Sequence, residues 1–98
     1  MLYIVYCKDK PNHVNKRLDN YDAHKAYLGG NPINFLMSGP CVDEGDRETM
    51  IGSFFLVEAE NREQVEEFNR NDPFYKAEIW ESIHIQAFSK RVDNISAA

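Results

Sequence analysis

A two-layer α+β fold, with helices on one face of an antiparallel sheet, is predicted by three observations. Residues 2–7 and 51–57 are almost continuously apolar, 33–38 is largely so, and 82–88 alternates apolar with polar, which gives four runs of strand character. Between the first two runs, and again between the last two, the apolar spacing lengthens from two residues to about 3.6, the helical period. Clusters of Gly, Pro, Asn and Asp separate the runs. The resulting order is β-α-β-β-α-β, with a short helical extension before the last strand. It is the order of a ferredoxin-like fold with a four-stranded antiparallel sheet.

Each element follows from its residues. The first strand, 2–7, ends at Lys8-Asp9-Lys10-Pro11-Asn12 and is apolar on both faces. Helical spacing from Asn20 to Leu28 puts Tyr21, His24 and Leu28 on one stripe, and Gly29-Gly30 is expected to end it with a left-handed residue. A start nearer Asn15 would place Arg17 about 20° from His24 around the axis, because seven steps of roughly 100° almost complete two turns. The second strand, 33–38, is expected to close at Gly39-Pro40, and Asp43-Glu44-Gly45-Asp46-Arg47-Glu48 forms the hairpin loop into the third.

Asn61 and Gln64 read as a capping box for a helix that turns Val65 and Phe68 inward and Glu63, Glu66, Glu67 and Arg70 outward. Asn71-Asp72-Pro73 interrupts that helix and starts a shorter one, since Asp is a favoured N-cap and Pro is tolerated at the first helical position. Residues 82–88 form the last strand. Residues 1–89 are thus one domain, followed by a tail, 90–98, expected to fray.

With 98 residues, 43% hydrophobic and 28% charged, the chain suits one small domain. A domain of this size buries only roughly 60–65% of its unfolded surface, and two helices cannot cover both faces of a sheet. A homodimer is therefore expected, formed through the helix-free face into a two-sheet α+β barrel or sandwich. A net charge of −5 and scattered Lys and Arg argue against a nucleic-acid partner. No apolar run is long enough for a membrane span, and two cysteines form no metal or redox motif, so a cytoplasmic protein with reduced thiols is expected.

His24 and Asp72 are the candidate catalytic residues. His24 faces the sheet from the apolar stripe, and histidine is the side chain whose proton affinity is most easily placed near neutrality. Asp72 has a structural task as N-cap, and the same carboxylate can hold an imidazole in one tautomer. A buried, hydrogen-bonded core histidine is the alternative. Ser38 and Gly39 offer a hydroxyl and an open backbone as weaker ligand contacts. His13 and His84 have no partner at metal-ligand spacing, although His84, sharing a face with Gln86 and Phe88, would reach a dimer interface. With no phosphate loop, dinucleotide fingerprint or nucleophilic-serine motif, no cofactor is expected.

Met1-Leu2-Tyr3-Ile4-Val5-Tyr6, Lys16-Arg17-Leu18, Ala23-His24, Ser38-Gly39-Pro40, Gly52-Ser53 and Asp72-Pro73-Phe74 stand in an order that resembles the YciI-like (YCII-related) family over residues 1–89. The resemblance implies a dimeric ferredoxin-like fold similar to muconolactone isomerase, with a His-Asp site on His24 and Asp72. It also implies, from relatives in aromatic-ring degradation that include a dehydrochlorinase, a lyase or isomerase acting on a hydroxylated or chlorinated ring or a lactone, with Arg17 contacting substrate. Many members carry Arg-Pro where this chain has Tyr21-Asp22, and a carboxylate there is expected to weaken binding of an anionic substrate. The other reading is a non-catalytic ligand-binding or accessory dimer. A ligand-sized cavity beside His24 separates the two.

Overall fold

The computed structural model describes residues 1–95; the expected fraying at residues 96–98 lies outside the described residues. The chain forms β1 (Leu2–Asp9), α1 (Val14–Asp19), α2 (Tyr21–Gly29), β2 (Asn34–Val42), β3 (Met50–Glu58), α3 (Arg62–Arg70), α4 (Pro73–Lys76) and β4 (Trp80–Phe88). The strands make one antiparallel sheet in the order β2-β3-β1-β4, the ferredoxin-like arrangement. Tyr3, Val5 and Cys7 of β1 lie opposite Val57, Phe55 and Ser53 of β3, and these alternate residues form the helix-covered face. Val65, Phe68 and Phe74 close the core over them.

Three boundaries differ from expectation, each for a local reason. The first helical segment is two helices, broken at Asn20, whose side-chain amide donates to the Lys16 carbonyl at 2.9 Å and so competes with the helical ladder. The angular relation expected of one continuous helix therefore does not place Arg17. At the end of α2, Gly30 keeps an ordinary φ of −79°, and the left-handed residue is Asn31 at 54°.

Gly39-Pro40 does not close β2, which runs on to Val42. Because β2 is an edge strand, a residue lacking its N–H leaves no interior ladder bond unmade. The register with β3 slips between Phe35, opposite Val57, and Met37, opposite Leu56. Leu36 is thus an extra residue, a β-bulge, and it reverses side-chain parity along the rest of the strand. Ser38, opposite Phe55, consequently returns to the helix-covered face.

Candidate functional site

The site is built where α1 and α2 cross the β2-β3 edge. Arg17, Tyr21, His24, Lys25, Ser38, Gly39 and Ser53 are among the residues lining a cavity of about 170 Å³ there. Four of the five sequence-predicted site residues, Arg17, His24, Ser38 and Gly39, share this lining, and the fifth, Asp72, lies behind His24. The structure brings all five together.

His24 reaches the cavity wall from α2 and is held from behind. Its Nδ1 lies 2.9 Å from Asp72 Oδ1, and its ring stacks on Phe74 with centroids 4.0 Å apart and planes 11° from parallel. A carboxylate only accepts, so Nδ1 carries the proton and donates it. Neutral His24 then presents the lone pair of Nε2, which has no protein partner among the described residues, to the cavity side.

Asp72 is 1% exposed, and the same Oδ1 also accepts the Phe74 backbone N–H at 2.8 Å, capping α4. One atom therefore both starts α4 and orients the imidazole. The other oxygen, Oδ2, is buried without a hydrogen-bond partner among the described residues.

Arg17, also almost fully buried, is held by Asp9, the last residue of β1, which extends two residues beyond the expected strand 2–7. Its Nε and Nη2 donate to Asp9 Oδ2 and Oδ1 at 2.6 and 3.0 Å, and Nη2 donates to Ser53 Oγ at 2.7 Å. The guanidinium carbon lies 4.5 Å from the centre of the Phe74 ring. Asp9 was recoverable from strand parity, because Tyr3, Val5, Cys7 and Asp9 fall on one face and all are buried.

The expected effect of Tyr21-Asp22 is corrected by geometry. The Asp22 side chain is fully exposed and sits 3.8 Å from Lys25 Nζ, so it places no carboxylate in the cavity. Lys25 Nζ lies 4.8 Å from the centre of the Tyr21 ring at the rim. His13 Nδ1 donates to the Pro11 carbonyl in the loop before α1, whereas His84 stacks on Tyr6 across the helix-free face. Among the described residues no group of three or more His, Cys, Asp or Glu is gathered to hold a metal, and no helix is long and apolar enough to cross a membrane.

Fold and cavity together define a small ferredoxin-like α+β protein with a buried histidine-carboxylate pair on its helical face. The YCII-related domain model matches residues 1–89, and the chain belongs to that family. It is 31% identical over 96 residues to Protein YciI of Escherichia coli O6:H1, covering 92% of this chain and 98% of that protein. Among solved structures it is similar to 5-chloro-2-hydroxyhydroquinone dehydrochlorinase (TftG) from Burkholderia phenoliruptrix AC1100, in complex with 2,5-dihydroxybenzoquinone. That similarity has a TM-score of 0.85 and 37% identity, covering 91% of this chain and 94% of that one. An antibiotic biosynthesis monooxygenase, at TM-score 0.54 and 15% identity, shares the fold.

Proposed function

We propose that this protein is an acid-base lyase or isomerase acting on a hydroxylated ring, with or without chlorine, with His24 as the proton carrier and Asp72 orienting it. The observation that carries the reading is the cavity against which His24 stands. At about 170 Å³ it matches the roughly 150 Å³ that holds a single benzene ring, and a packed core histidine would have no such space beside it. The similarity to a dehydrochlorinase solved with a dihydroxybenzoquinone supports the ring over the lactone.

For a chlorinated hydroquinone the chemistry balances without an oxidant. His24 Nε2 takes a hydroxyl proton and returns it to the chlorine-bearing carbon, giving a keto tautomer. It then takes a second hydroxyl proton, whose O–H electron pair becomes a carbonyl as the C–Cl bond breaks and chloride leaves with its electrons. The sum is loss of HCl. Asp72 stabilises the imidazolium formed at each transfer, and Ser38 and the Arg17 side of the wall face the oxygens on which charge develops. The protein works as a homodimeric barrel in this reading, and the free thiols Cys7 and Cys41 fit a reducing cytoplasm.

Chloride release from 5-chloro-2-hydroxyhydroquinone under anaerobic conditions tests the proposal. Wild type is expected to turn over, and His24→Ala to lose on the order of 10²–10⁴-fold, the range for removing a positioned acid-base group. Equal rates for the two proteins would sink it.

A further inference from the structure

Resting on that reading of the cavity but tested separately from it, we propose that Ser53 is the hydrogen-bond donor that holds a ring oxygen, aimed by Arg17, and that the site selects an uncharged phenol over a carboxylate. Ser53 is 3% exposed and lines the cavity from β3, opposite Cys7 on β1. Its Oγ accepts from Arg17 Nη2 at 2.7 Å. A hydroxyl has one proton to give, and among the described residues no protein acceptor takes it. With the guanidinium on the acceptor side, that proton is directed away from Arg17, and the open direction is the cavity. A hydrogen bond donated to a hydroxyl by a cation also polarises it, so the Ser53 O–H is a better donor than a free serine.

Arg17 itself is unsuited to binding a carboxylate. Its planar fork is already spent on Asp9, in the two-point geometry that a substrate carboxylate would need. Asp9 and Arg17 cancel, and Asp72, buried behind the His24 ring, leaves one negative charge beside the cavity when His24 is neutral. A carboxylate entering would be repelled by that charge across the imidazole. Lys25 at the rim does not reverse the balance, since its side chain is 61% exposed and shares its charge with Asp22. A phenolic oxygen needs only a donor and, for reaction, a base. Ser53 and His24 supply one each.

Anaerobic calorimetry at near-neutral pH with methylhydroquinone, uncharged and without a leaving group, and 2,5-dihydroxybenzoate, which adds an ionised carboxylate, tests the assignment. Wild type is expected to bind methylhydroquinone at least ~10-fold more tightly, and Ser53→Ala to lose about 10-fold, the equivalent of one hydrogen bond. Ser53→Thr keeps the hydroxyl and should keep most of the affinity, while Asp9→Asn uncovers the guanidinium charge and should move the preference toward the carboxylate. Unchanged binding by Ser53→Ala, a carboxylate preference in wild type, or no binding of either ring at millimolar concentration would overturn the proposal. Binding is read without turnover, so persistent chloride release by His24→Ala counts against the catalytic reading alone.

Discussion

Asp72 carries two tasks on one oxygen, and two substitutions separate them. Asn keeps an acceptor for the Phe74 N–H, so α4 still starts, but it removes the carboxylate charge beside the ring that carries the proton during transfer. Asp72→Asn is therefore expected to lower chloride release about 10–100-fold with a melting temperature near that of wild type. Ala removes both functions. Asp72→Ala should lose as much activity and also about 1 kcal/mol of capping, which in a domain of this size lowers the melting temperature by roughly 4–8 °C. Thermal unfolding measured alongside turnover checks the pair, and equal melting temperatures for the two variants would remove the cap from the account.

Cys7 illustrates the same scale through burial. Desolvation pushes its thiol from the ordinary 9.0 up to about 12, against the Asn69 amide, which donates to Sγ at 3.5 Å. The folded state keeps that proton at a pH where the unfolded chain has lost it. The resulting stability is whole below about pH 9 and drains away as pH rises from 9 toward 12. Native protein at mildly alkaline pH should leave Cys7 unmodified by iodoacetamide, while denaturant exposes it. Mass spectrometry of the alkylated chain reads this directly, and rapid native modification of Cys7 would contradict the packing described.

At the scale of elements, the sheet depends on one residue of register. Leu36 is the bulge that returns Ser38 to the cavity side and leaves Leu36 and Met37 on the open face. Deleting Leu36 removes the extra residue and leaves Met37 opposite Leu56 and Ser38 opposite Phe55, so Ser38 should keep its place on the cavity side. The deletion variant is expected to keep its circular dichroism spectrum and to lose less methylhydroquinone affinity than the roughly 10-fold of one lost hydrogen bond. A larger loss would mean that the bulge itself shapes the site.

That bulge also marks how far the sequence could be read. Legible were the elements with their own periodicity, such as the alternating 82–88 run, and those with their own chemistry. Asn61 Oδ1 does accept the Gln64 N–H at 3.0 Å, and Asp72 does cap at Pro73. Illegible were features that exist only between elements. A register slip depends on the facing strand, the Asn20 break depends on a side chain outcompeting the ladder, and the Asp9–Arg17 pair joins a strand end to a helix. His24 and Asp72, 48 residues apart, were found because each sat on a local signature of its own, an apolar stripe and an N-cap.

The whole molecule has one face left open. Leu2, Ile4 and Tyr6 of β1, Phe54 and Leu56 of β3, and Phe88 of β4 lie on the side of the sheet without helices, and Tyr6 and Phe88 are exposed. Leu36 and Met37 add to it from β2. A sheet face this apolar costs the hydration of its side chains until something covers it, and a second copy covers both faces at once. Sedimentation at micromolar concentration is therefore expected to give twice the chain mass of 11.4 kDa. Ile4 and Leu56 stand opposite each other in the middle of this face, so Leu56→Lys would bury a charge at the interface and should yield a folded monomer. A wild-type chain already monomeric at that concentration would defeat the proposal. The cavity lies on the other side of the sheet, so the monomeric variant also tests whose residues complete the site. Unchanged methylhydroquinone affinity assigns binding to a single chain, and a loss with the fold intact means that the partner closes part of the cavity mouth.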